Sequence, residues 1–142
     1  MGEKVLLIDD EAEFLSALSE RMRLRGMDVT TASNAADALE AIKNDTFDAI
    51  FLDLQMPGTD GIESLRKIRD INPDLQVILL TGHATVDKGI EAMKLGAMDF
   101  MEKPADVEQL REKVRKAHAR KMLLVERRTE SKISEILAER GW

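Results

Sequence analysis

The chain contains no cysteine, which excludes a disulfide framework and a thiolate-held zinc site. Aromatic residues make up only 4% of it, so its core must be aliphatic. No apolar run approaches the roughly 20 residues that a membrane span requires. The N-terminus opens directly into a strand-like run and lacks the long apolar region of a secretory signal. Cytoplasm is therefore the expected location, and no membrane contact is expected. A Rossmann glycine fingerprint and a P-loop are both missing. What is present is a globular balance, with 44% hydrophobic and 34% charged residues over 142 positions. That length suits one domain with a little to spare. The net charge of −6 is uneven: residues 1–104 carry 11 basic and 20 acidic side chains, and residues 105–142 carry 10 and 7. An acidic body argues against a nucleic-acid surface there. The basic end reads as a solvated helix face.

Short apolar runs alternate with amphipathic stretches. Strands are predicted at Val5–Ile8, Asp28–Thr31, Ala49–Leu52, Val77–Leu80 and Met98–Met101. The first, third and fourth are almost wholly apolar, as central parallel strands covered on both faces must be. The second is polar and belongs at an edge. Helical spacing fills the gaps: Phe14, Leu15, Leu18 and Met22; Ala35, Ala38, Leu39 and Ile42; Ile62, Leu65 and Ile68; Val86, Ile90 and Met93. Asn34 with Asp37, Asp60 with Glu63 and Asp106 with Gln109 have the spacing of helix starts. Gly26 and Gly96 fall where helices should end. Five βα units in series imply an α/β fold with an open, doubly wound, five-stranded parallel sheet and right-handed crossovers.

In such a sheet, ligands bind beyond the carboxyl ends of the strands. The residues there are Asp9 and Asp10 in "KVLLIDDE", Asp53 in "FLDLQMPGTDG", Thr81 in "LLTGHAT" and Lys103 in "FMEKPAD". Adjacent carboxylates repel and are costly to desolvate. Asp10 with Glu13 also fits a helix-capping pattern, but three acids and a lysine at matching strand ends point to a site. Hard oxygen donors favour a hard divalent cation, and Mg²⁺ is the expected one. A metal-bound carboxylate beside an ammonium and a hydroxyl can accept a phosphoryl group, with Asp53 attacking in line. The metal and Lys103 would neutralise the phosphoryl oxygens, and Thr81 would hydrogen-bond one of them.

These four stretches, in this order, resemble the bacterial two-component response-regulator receiver domain over residues 4 to about 118. The resemblance implies the flavodoxin-like strand order 2-1-3-4-5. It implies that Asp53 is the phosphorylated residue, Asp10 a direct metal ligand and Asp9 an outer-sphere acid. Asp53 and the main-chain carbonyl of Gln55 would complete the protein ligands. Thr81 matches the switch hydroxyl, Lys103 the phosphate-contacting lysine and Phe100 the rotating aromatic, often a tyrosine. A cis peptide is implied between Lys103 and Pro104. The expected phosphodonor is a histidine kinase or phosphotransfer protein. The expected role is a signalling switch that catalyses only its own phosphorylation and dephosphorylation, without direct nucleic-acid binding. His83, two residues after Thr81, stands where the family tunes phosphoryl lifetime. His118 reads as a solvated helix residue, and Met22, Met27, Met93, Met98 and Met101 read as packing.

The receiver is predicted to occupy residues 1–120 and a helical C-terminal extension residues 121–142. Val107, Leu110, Val114 and Ala117 should pack on the sheet. Beyond them Met122, Val125, Thr129, Ile133 and Ile136 keep helical spacing, although Ser131 could cap a separate short helix. An apolar stripe beyond the sheet's reach suggests a homodimer seam or the root of an output element in a larger transcription regulator. The face of the fourth helix and fifth strand is the other candidate interface. Rival readings fit less well. Haloacid-dehalogenase-type phosphatases place an Asp-x-Asp pattern after the first strand, a spacing that Asp9–Asp10 lacks. A flavodoxin-like electron carrier needs a phosphate loop where this chain has acids that repel phosphate. A module that only binds partners, without phosphorylation, has no use for the complete acid–threonine–lysine set.

Overall fold

The computed structural model describes residues 2–56, 58–82 and 86–141. Its elements run β1 (Lys4–Ile8), α1 (Ala12–Leu24), β2 (Asp28–Ala32), α2 (Ala35–Asn44), β3 (Ala49–Asp53), β4 (Gln55–Met56), β5 (Thr59–Asp60), α3 (Gly61–Ile71), β6 (Val77–Thr81), α4 (Val86–Lys94), β7 (Asp99–Glu102) and α5 (Val107–Glu139). The main sheet is parallel, in the order β2-β1-β3-β6-β7. Counting only its five strands, that is the 2-1-3-4-5 order, with polar β2 at an edge. The two-residue strands β4 and β5 form a small antiparallel hairpin, too short to leave a periodic signal in the sequence.

Strand alternation builds two cores. Leu6, Ile8, Ile50, Leu52, Val77 and Leu79 pack on one face with Ile42, Leu65 and Ile68 of α2 and α3. Val5, Leu7, Phe51, Ile78 and Leu80 pack on the other with Leu15, Leu18 and Met22 of α1 and Leu110, Val114 and Ala117 of α5. Each large side chain withdrawn from water contributes about 1.5–3 kcal/mol, so this sandwich fixes the strand ends. Asn34 caps α2 through the Asp37 amide, Asp60 caps α3 through that of Ile62, and Asp106 caps α5 through those of Glu108 and Gln109. Gly26 and Gly96 end their helices at φ +86° and +103°. Both ends close alike, with Met27 N–H donating to Met22 O and Ala97 N–H to Ala92 O.

Three expectations need amendment. On α4, Gly89 and Ala92 are the buried residues among those described, and Ala92 belongs to the core, whereas Ile90 and Met93 are exposed. His118 is exposed on α5 as expected but is also partnered, with its Nδ1 2.7 Å from Asp48 Oδ1. Ser131 starts no new helix: α5 is continuous for 33 residues. Met22, Met27 and Met101 are buried as expected. The Lys103–Pro104 peptide is cis.

Candidate functional site

Register explains how distant residues meet. Ile8 lies opposite both Ala32 and Leu52, Asp53 opposite Leu80, and Thr81 opposite Glu102. The strands therefore finish level, and Asp9, Asp53, Thr81 and Lys103 stand side by side at the carboxyl edge. Behind Asp53, helix α3 approaches closely: a Cβ added at Gly61 would lie 2.7 Å from Leu54 Cα. Only glycine permits that approach, which holds the loop after β3 against the head of α3.

Asp9, Asp10 and Asp53 each offer a carboxylate oxygen, and these oxygens lie within 4.8 Å of one another. Asp9 and Asp53 are buried and Asp10 is exposed. Asp9 Oδ1 accepts from the Glu11 amide at 2.9 Å, and Asp53 Oδ1 accepts from the Gln55 amide at 2.9 Å. Among the described residues, one ammonium serves the cluster. Lys103 Nζ is 2.6 Å from Asp9 Oδ2, 2.9 Å from Glu11 Oε1 and 3.4 Å from Asp53 Oδ2. It also lies 4.6 Å from the centre of the Phe14 ring. The contact to Asp9 is an ion pair rather than an aligned hydrogen bond, and Asp9 Oδ2 is buried without a hydrogen-bond partner. Burial pushes the Asp9 carboxyl up, and the Lys103 ammonium and Glu11 amide oppose this without cancelling it. Burial alone would favour neutral Lys103, but the carboxylates of Asp9 and Glu11 outweigh it and hold its pKa above the ordinary lysine range.

The capping explanation for the acids does not hold. Glu11, not Asp10, is the N-cap of α1, and no side chain caps that helix. Three clustered carboxylates, one with a buried oxygen held by an ion pair and no hydrogen bond, fit a hard divalent cation held by oxygen donors. Thr81 is buried at the end of β6, with its hydroxyl donating to Met101 O at 3.3 Å. Phe100 is 49% exposed on β7. His83 lies outside the described residues. Glu11 was not among the expected site residues, although it is the third acid of the run that ends β1; a further signal is its place at a helix start that Glu caps poorly.

A 2-1-3-4-5 parallel sheet with a carboxylate trio and one ammonium at its carboxyl edge defines a class: small α/β modules built to handle a phosphoryl group beside a cation. Comparison with known proteins gives the family. The model of the response regulator receiver domain matches residues 5–115, and the chain belongs to that family. It is 40% identical over 126 residues to the C4-dicarboxylate transport transcriptional regulatory protein DctD of Pseudomonas aeruginosa, covering 89% of this chain and 27% of that protein. It is 33% identical to sporulation initiation phosphotransferase F of Bacillus subtilis, covering 82% of this chain and 94% of that one. A crystal structure of a response regulator receiver domain protein from Clostridium thermocellum superposes with a TM-score of 0.82 at 35% identity, covering 86% of this chain and 98% of that one. The chain spans only 25–29% of the longer transcriptional regulators it matches. It is thus a signalling switch, the phosphoacceptor module of two-component systems, and no described helix is long and apolar enough to cross a membrane.

Proposed function

We propose that Asp53 is the phosphoacceptor and that Lys103 and Thr81 serve the transfer. The observation that carries this is the Lys103 ammonium, 3.4 Å from Asp53 and 2.6 Å from Asp9, facing a trio of carboxylates. An Asp53 carboxylate oxygen attacks the phosphorus of a donor phosphohistidine or acyl phosphate. The P–O bond to Asp53 forms as the bond to the leaving group breaks, and the leaving group departs with the electron pair. Lys103 meets the charge on the phosphoryl oxygens. Asp9, Asp10, Asp53 and the Gln55 carbonyl are the residues that would hold Mg²⁺, which when bound neutralises phosphoryl charge. The Thr81 hydroxyl leaves Met101 O for a phosphoryl oxygen, and Phe100 moves with it, so Thr81 and Phe100 form the switch. Dephosphorylation is the protein's own hydrolysis of the same bond.

The test is incubation with Mg²⁺ and acetyl phosphate, read by intact mass. One added phosphoryl group is expected on the wild type and none on Asp53→Asn, whose amide is nearly isosteric but a poor nucleophile. Uptake by the variant at the wild-type rate would refute the assignment.

The donor in the cell is a histidine kinase or phosphotransfer protein, the location is the cytoplasm, and the acidic body supports protein rather than nucleic-acid contacts. Residues 1–120 form the receiver, and residues 121–142 are an extension through which two chains associate. Met122, Ile133, Ile136 and Leu137 are all exposed on one helix, an apolar liability that pairing removes. Ile90, Met93 and Phe100 support the face of α4 and β7 as the alternative seam. Light scattering should give a larger mass for the full chain than for a truncation after Arg120, with phosphorylation intact in both; a monomeric mass at every concentration refutes the dimer. A second reading, the receiver portion of a larger transcription regulator, is favoured by the length of the relatives.

A further inference from the structure

We propose that Glu11 is a latch on Lys103, a positioning residue that must release the ammonium before a phosphoryl group can be held on Asp53. This deepens the reading above and rests on it. An ammonium has three N–H donors and no more. In this structure three carboxylates, those of Asp9, Glu11 and Asp53, surround Lys103 Nζ within 3.4 Å. Two of them, Glu11 and Asp53, accept hydrogen bonds from it and Asp9 pairs with its charge, so a phosphoryl oxygen arriving at Asp53 must compete with carboxylates already crowded around the ammonium.

The geometry selects which. The Asp9 side chain is 0% exposed and that of Asp53 only 4%, so neither carboxylate can exchange the ammonium for water. The Glu11 side chain is 62% exposed and rehydrates on release. Its contact is also an aligned hydrogen bond at 2.9 Å, whereas the shorter approach to Asp9 is not. Glu11 lies outside the trio that could hold a metal ion, and it leaves the head of α1 without a side-chain cap. Its carboxylate thus serves neither the metal cluster nor the helix. It competes with the phosphoryl group for one cation.

The test is the affinity of the full chain for beryllofluoride, a phosphoryl mimic, at saturating Mg²⁺. Glu11→Gln should bind it roughly two- to fivefold tighter, the range expected for releasing an exposed ion pair. Glu11→Asp keeps the charge but shortens the reach by one methylene; it should bind as tightly as Glu11→Gln. Glu13→Gln, which removes a nearby exposed acid in the first turn of α1, should match the wild type. In metal-free protein, melting of the four combinations of Glu11→Gln with Lys103→Met should show non-additive changes. Equal beryllofluoride affinity in wild type and Glu11→Gln, weaker binding in the variant, or Glu11→Asp behaving as wild type would each overturn the latch. Failure of the parent reading looks different: wild type and variants alike would fail to bind beryllofluoride.

Discussion

At the amino edge of the sheet, Asp48 accepts from the Lys4 amide at 2.8 Å and faces His118 at 2.7 Å and Lys121 at 3.7 Å. Asp74, in the loop before β6, lies 2.8 Å from an Arg128 guanidinium nitrogen, and Asp45 pairs with Lys4. At the carboxyl edge, Asp9, Glu11 and Asp53 share Lys103, and Asp10 stands beside them. Both edges gather acids at strand ends. At the amino edge each of these three acids has a basic partner, and three of those partners, His118, Lys121 and Arg128, reach in from α5; the result is a clamp. At the carboxyl edge four acids face one ammonium among the described residues, a deficit that the proposed metal ion would fill. The ratio of cations to acids among the described residues, rather than the number of acids, separates the proposed functional edge from the other. The carboxyl groups respond accordingly: burial drives Asp9 up, whereas at Asp48 burial is outweighed by His118, the Lys4 amide and Lys121, which hold it below the usual range.

Removing the shared cation breaks the comparison most severely. Lys103→Met leaves buried Asp9 with no counter-charge and should cost about 3 kcal/mol of metal-free stability in urea unfolding. Saturating Mg²⁺ should restore part of that loss, because the cluster accepts either cation; a loss unchanged by Mg²⁺ would mean the acids do not see the metal. At the other edge, Asp48→Asn should cost about 1–2 kcal/mol at neutral pH through weakened charge-assisted hydrogen bonds, with no Mg²⁺ rescue. A carboxyl with a depressed folded pKa contributes fully above its unfolded value, about 3.9, and the contribution is lost as pH falls through the lower folded value. The gap between wild type and Asp48→Asn should therefore be constant down to about pH 4 and narrow below it; a gap that narrows near neutrality would contradict this origin. The smallest effect is expected at Arg128→Ala, under about 1 kcal/mol because the arginine side chain is 60% exposed. Its sharper signature is increased amide exchange in α5 from about residue 124 onward, with the site unaffected.

Much of this was legible in the sequence because it depends on strand ends. Asp9, Asp10, Asp53, Thr81 and Lys103 each follow an apolar run, and a parallel sheet leaves such residues little choice of edge. Asn34, Asp60 and Asp106 were readable as caps for a similar reason, since capping is local. What escaped depends on side-chain direction or on distant partners. The reach of Glu11 to Lys103 joins residues 92 apart in the chain, and that of His118 to Asp48 joins residues 70 apart. The outward turn of Ile90 and Met93 was hidden because Ala92 is the α4 residue seated in the core, and a small residue gives a weak apolar signal.

Helix α5 also has a mechanical reading. Leu110, Val114 and Ala117 seat its first turns against the sheet, and its last residues continue without a break to Glu139. From Ala117 to Glu139 the helix extends about 33 Å at ~1.5 Å per residue. A tilt of about 5° where it is seated thus carries its far end through about 3 Å, from the same rise per residue. The Arg128–Asp74 contact lies midway along that arm and acts as a brake. A rearrangement too small to alter the sheet could then be felt at the tip as a full side-chain displacement, by leverage alone.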